Sequence, residues 1–151
     1  MKSFHFRLDQ ALRWRGTQAD LGKARVSEAV TRLSALQKDM EVRRGQMAAG
    51  SLDLVSGATG AALGHWTAYV RRSRREIAEL EKQVKEAERQ FGECLRISVE
   101  ANRKVRLLEN LKLTARTRWD AALDRELEAF AGEAFLVGYN RESRWEHSSG
   151  G

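Results

Sequence analysis

The chain has 151 residues, 32% of them charged, 42% hydrophobic and only 7% aromatic, with no proline and one cysteine. That length allows at most one domain, and a charge-rich chain without proline points to uninterrupted helices rather than a mixed globular fold. The net charge of +6 is uneven: Met1 to Met47 carries ten basic and five acidic residues, His65 to Arg116 thirteen and eight, and Thr117 to the end four and seven. A basic rod with an acidic tip follows, either an electrostatic docking surface or an ordinary solvated helix face.

The N-terminus, Met1-Lys2-Ser3-Phe4-His5-Phe6-Arg7, lacks the apolar run of a signal peptide. No apolar stretch approaches the ~20 residues that span a bilayer, so a cytosolic protein is expected unless a partner holds it at a membrane. From about Phe4 the first element shows a heptad line, Leu12, Ala19, Val26, Leu33, Met40, Met47 and Leu54, that never breaks. Its companion line is mixed: Leu8, Arg15, Gly22, Ala29, Leu36 and Arg43. One strong and one weak line still make a helix, over about 4–54, with Arg15 and Arg43 lying across the seam edge. Gly16 and Gly22 either admit a close partner helix or mark a softer point, at a cost of about 1 kcal/mol each relative to Ala.

Gly45, Gly50, Gly57, Gly60 and Gly64 make residues 45–60 the place where the chain reverses, with the turn centred near Gly57 and Ser56 or Thr59 as helix cap. The second helix is expected over about 60–137. Its seam lines are Leu63, Val70, Ile77, Val84, Phe91, Ser98 and Val105, and Trp66, Ser73, Leu80, Ala87, Cys94, Ala101, Leu108 and Ala115. Both are apolar except at Ser73 and Ser98, and Cys94 is a small seam residue with no disulfide partner. The pattern predicts an all-α fold: an antiparallel coiled-coil hairpin, monomeric alone, with the second helix the longer. A pair that opens and dimerises with another chain is the alternative.

A turn near Gly57 pairs Leu8 with Leu108 and Phe4 with Leu111. Helix one ends there, yet Trp119, Leu123, Leu127, Phe130 and Ala134 continue one helical face. At ~1.5 Å per residue, some 25 residues of overhang reach about 35–40 Å beyond the paired part. This stripe either folds back on Phe4 and Phe6 or docks on another protein. Residues 138–151 are polar and read as a flexible tail.

No catalytic constellation is present. His5, His65 and His147 are too scattered for a metal site, the hinge glycines are not followed by the Lys-Ser or Lys-Thr of a phosphate loop, and no cofactor is expected. Glu79–Lys82, Glu81–Lys85 and Glu86–Arg89 are ordinary helix-surface pairs. The cluster Arg71-Arg72-Ser73-Arg74-Arg75 forms a collar rather than a stripe, either a solvated face or a protein-docking one. Glu76, Glu79 and Glu81 follow it and no aromatics interleave, which argues against nucleic acid. Trp66 belongs to the seam, and Tyr69, one turn on, is the better contact candidate or merely covers the hinge.

The opening Phe4-His5-Phe6-Arg7-Leu8 with Leu12 and Arg15, the Trp66-x-x-Tyr69 pair after the turn, and Arg103-Lys104-x-x-x-Leu108-Glu109-x-Leu111-Lys112 occur in an order that resembles the flagellar export stalk family FliJ. These are small coiled-coil proteins of the type III secretion ATPase complex, and the likeness covers nearly the whole chain. It implies a non-enzymatic stalk and chaperone component of flagellar protein export. The stalk would insert its open end into the hexameric export ATPase ring, contact the cytoplasmic domain of the membrane export gate, and take part in escort of export chaperones. It would be cytoplasmic, held at the inner face of the membrane through that apparatus. On this sequence Phe4, Phe6, Leu8, Trp119, Leu123, Leu127 and Phe130 would face the ring, and Tyr69, Arg72 and Glu76 the gate. The family's apolar gate positions are charged here, in Arg72, Arg75 and Glu76, so the face is shifted toward Leu80 or meets the gate differently. A generic coiled-coil scaffold and a basic nucleic-acid-associated helix protein are the competing readings.

Overall fold

The computed structural model describes residues 3–54 and 59–148, which form two helices, α1 (Asp9–Leu54) and α2 (Gly60–Ser148), with no strand among the described residues. The helices pack against each other as an antiparallel coiled-coil hairpin, 46 residues against 89. Their contacts gather into two compact units, Met1–Trp14 with Val105–Gly151, and Arg15–Lys104.

In the Arg15–Lys104 unit, burial follows the heptad lines. On α2, Ser73, Ile77, Leu80, Val84, Ala87 and Ser98 are buried, and Trp66, Val70, Phe91, Cys94 and Ala101 are half-buried. On α1, Ala19 and Gly22 are buried, and Val26, Ala29, Leu33, Leu36, Met40, Arg43 and Met47 are half-buried. The weak line of α1 therefore faces α2 as fully as the strong one. Each large apolar side chain so covered contributes about 1.5–3 kcal/mol at full burial and proportionately less here. Leu63 lies outside this seam at 49% exposure. Two helices share one narrow contact, so no large side chain among the described residues is completely enclosed.

The serines in the apolar lines are among the deepest seam positions, Ser73 at 7% and Ser98 at 6% exposed. Their small size lets the backbones approach. A Cβ on Gly22 would sit 3.4 Å from the Ser98 Cα, so Gly22 is a close-approach glycine, whereas a Cβ on Gly16 would meet nothing within 4 Å. Near the hinge, Gly50 gives space to an indole: a Cβ there would lie 2.5 Å from Cζ3 of Trp66.

The expected glycine-rich turn is thus narrower than the cluster. Gly45 and Gly50 belong to α1, Gly60 and Gly64 to α2. The Thr59 carbonyl accepts the bond from the Leu63 N–H at 3.1 Å and so opens α2. The turn centre at Gly57 and the alternative cap Ser56 lie outside the described residues.

In the other unit, α1 starts later than expected. Residues Ser3–Phe6 are not helical; the Asp9 N–H donates to the Phe6 carbonyl at 3.0 Å, and the Leu12 N–H donates to the Leu8 carbonyl at 2.9 Å. Asp9 is then the acidic residue of the first turn, where the helix dipole favours a carboxylate. Leu12, Val105, Leu108 and Ala115 are half-buried, continuing both lines. At its far end α2 runs through Ser148, past the end expected near residue 137, so residues 138–148 are helical and not a flexible tail. No proline stops the helix there, and one glycine, Gly138, costs only about 1 kcal/mol.

Candidate functional site

Within the Met1–Trp14 and Val105–Gly151 unit, the extended segment before α1 is held on α2 by an aromatic clasp. The rings of Phe4 and Trp119 meet edge to face, 6.0 Å apart at 62°. The Arg116 guanidinium lies 5.1 Å from the Phe4 centroid and 4.9 Å from that of Trp119, and its Nε pairs with Asp120 at 3.1 Å. Such cation–aromatic contacts are worth about 0.5–1 kcal/mol at exposed sites. Below the clasp, the Lys112 ammonium donates to Asp9 at 2.6 Å, and Arg13 pairs with Asp9 at 3.1 Å. The bond from Lys112 is the main reason that the Asp9 carboxyl titrates below its ordinary 3.8.

This clasp corrects two expectations. Phe4 meets Trp119 rather than Leu111, two helical turns further along α2. Phe6 is buried at 9% exposure, so it packs within the unit instead of facing a partner. Trp119 is half-buried too, and the stripe is not bare from its start. Leu8 is 42% exposed, and Leu111, left without Phe4, is also exposed.

Beyond the clasp the cover ends. Among the residues of α2 whose burial is described, Leu123 is the last half-buried apolar one, and after it every residue to Arg141 is exposed. Leu127 stands at 46% and Phe130 at 72%. With Ala134 and Val137 they form one face at helical spacing. Phe135, Leu136 and Tyr139, which the sequence reading did not single out, are exposed on the other sides, so α2 is apolar all round near residues 134–139. The run Ala134-Phe135-Leu136-Val137-Gly138-Tyr139 is its signal in the sequence, although Gly138 and the polar residues after it look like the start of a tail.

Within the Arg15–Lys104 unit, the hinge end carries the second candidate surface. Trp66 and Tyr69 lie 5.3 Å apart, Tyr69 exposed. Of the residues expected at a gate contact, Tyr69 and Arg72 are open to solvent, but Glu76 is not a free surface group. One of its oxygens accepts from Arg72 Nε at 3.0 Å and the other from Arg43 of α1, tying the helices together. Arg43 places its Nε where no hydrogen-bond partner reaches it. Arg44 likewise crosses to Glu81 at 2.7 Å. On the outer face, hydrogen bonds from Arg89 and then Gln90 hold the Glu86 carboxyl down at about 2, and Arg89 is raised in turn.

No group of three or more potential metal-binding side chains occurs among the described residues. No helix is long and apolar enough to cross a membrane among those residues. The molecule is in class a coiled-coil hairpin with an uncovered apolar helix face and a basic, aromatic hinge region. Comparison with protein-family models, with curated proteins and with solved structures finds no match.

Proposed function

We propose that the chain is a non-enzymatic stalk and chaperone component of a flagellar type III export apparatus, docking through the clasp end and distal α2 on the hexameric export ATPase ring. The observation that carries this reading is the uncovered face past Leu123, where Leu127 and Phe130 stay exposed on a helix whose seam has ended. Exposed faces of this kind, with large apolar anchors at helical spacing, seat in grooves of partner proteins. The partner in this reading follows from the resemblance of the motif order from Phe4 to Lys112 to the flagellar export stalk family. The hinge region, through Tyr69 and Arg72, would meet the cytoplasmic domain of the export gate, so that a cytoplasmic protein is held peripherally at the membrane. Glu76 serves this only indirectly, by orienting Arg72.

Capture of the purified export ATPase hexamer tests the reading. Leu127→Ser with Phe130→Ser should leave helicity unchanged, since both side chains are exposed, and weaken capture at least about tenfold. Capture equal to that of the wild-type chain overturns it.

A further inference from the structure

The acidic residues that follow the arginine collar are engaged inside their own unit: Glu76 with Arg43 and Arg72, Glu81 with Arg44, and Glu79 with Lys82. Arg71, Arg74 and Arg75 are exposed and have no ion-pair or hydrogen-bond partner among the described residues. The heptad register accounts for this surplus. Glu79, Glu86, Glu93 and Glu100 recur every seven residues beside Lys82, Arg89, Arg96 and Arg103, but the position one heptad before Glu79 holds Arg72. The three guanidiniums border an open depression of about 550 Å³ with Trp66, Thr67, Val70 and Ala78 along it. Cations flanking an apolar floor that runs along three helical turns suit a second helix bearing carboxylates beside an apolar stripe.

The distal part of α2 has that character. Leu127, Phe130, Ala134 and Val137 share its apolar face, and Glu126 and Glu133, one heptad apart, border it on the same side. Both glutamates are exposed and have no partner among the described residues. We propose that the collar of one copy of this chain seats the distal α2 of a second copy, giving a weak, salt-sensitive, head-to-tail association. Arg71, Arg74 and Arg75 face Glu126 and Glu133, while Leu127 and Phe130 cover Trp66 and Val70. The contact is heterologous, so it extends into chains unless its rotation closes a ring. Pairing does not depend on the export reading; only the competition between ring and second copy for one face rests on it.

Sedimentation of the full chain over a range of concentrations tests this. At low salt, about 20 mM, the mean mass should rise with concentration, and at about 0.5 M, where exposed charges are screened, it should fall to the monomer. Arg71→Glu/Arg74→Glu/Arg75→Glu and Glu126→Lys/Glu133→Lys should each weaken association about tenfold, from several surface ion pairs lost together. An equimolar mixture of the two variants should recover it through the opposite charges. Circular dichroism verifies that both variants are as helical as the wild type. A monomer at low salt, or association unaffected by the collar reversal or not recovered on mixing, overturns the proposal. The collar reversal leaves Leu127 and Phe130 intact, so it should not reduce ATPase capture, and the two readings fail separately.

Discussion

One substitution made at three glycines should give different results, because the space around each differs. Replacing glycine by alanine inside a helix gains about 0.8–1 kcal/mol of propensity. At Gly16 nothing lies within 4 Å of the new methyl, so the full gain of about 1 kcal/mol is expected. At Gly22 the methyl would rest 3.4–3.6 Å from Ser98, at the near edge of ordinary contact, so a smaller gain should remain. At Gly50 the methyl would fall 2.5 and 2.6 Å from two indole carbons, and Trp66 must move. Displacing a well-packed group costs about 1–3 kcal/mol, so Gly50→Ala should be neutral to about 2 kcal/mol less stable. Gly50 also lies in the last turns of α1, where fraying shrinks the propensity gain. Urea unfolding followed by circular dichroism at the helix band measures all three. If Gly50→Ala stabilises as much as Gly16→Ala, the indole does not occupy the space above Gly50 and Trp66 does not pack on α1 at the hinge.

Arg43 gives a second test: Arg43→Met should keep the packed stem and lose the ion pairs to Glu76 and Asp39, at a cost below about 1 kcal/mol, whereas Arg43→Ala, which also loses the stem, should cost about 1–2 kcal/mol. Equal losses in both variants, measured by urea unfolding, would refute the view that the stem matters more than the charge. The acid limb of stability follows from two carboxyls held down in the folded state. Their contribution is complete above the unfolded values, 3.8 for Asp9 and 4.5 for Glu86, and is lost as pH falls through the folded ones, about 2 for Glu86. The urea midpoint should therefore begin to fall slightly below about pH 4.5, and Asp9→Asn with Glu86→Gln should be a little less stable than the wild type at neutral pH and approach it near pH 2. An unchanged difference between the two chains across that range would exclude these ion pairs as the source.

The seam was legible because a period of seven leaves a strong mark: Ile77, Leu80, Val84 and Ala87 are buried where the spacing puts them. The register was less so. Gly22 meets Ser98, about one turn beyond the pairing expected for a turn at Gly57. The segment Ser3–Phe6 is not helical, and non-helical chain covers up to about twice the distance of helix per residue, which helps Phe4 reach Trp119. Alternation in Phe4-His5-Phe6-Arg7-Leu8 was the available sign that this stretch is not helical. The uncovered face at Leu127 and Phe130 was readable from spacing alone, but the clasp was not: Arg116 becomes an aromatic partner only because Phe4 and Trp119 bring their rings to it. The charge balance of the collar is not legible in one dimension, because Glu76 and Glu81, adjacent to it in sequence, pair with Arg43 and Arg44 of the other helix.

The irregular residues of the heptad lines bear on alignment. A seam of uniform Leu and Ile lets antiparallel helices slide by one heptad and rebuild equivalent layers. Such a slide within the Arg15–Lys104 unit would bring Gly22 from Ser98 to Phe91 or Val105, and Arg43 from Glu76 to Tyr69 or Gln83. It would also take Gly50 away from the one indole that needs its missing side chain. Each displaced frame leaves a void at a glycine or a cation without its counter-ion. Gly22, Arg43, Gly50 and Ser98, which weaken the seam as glue, act together as the teeth of a key that turns in a single position.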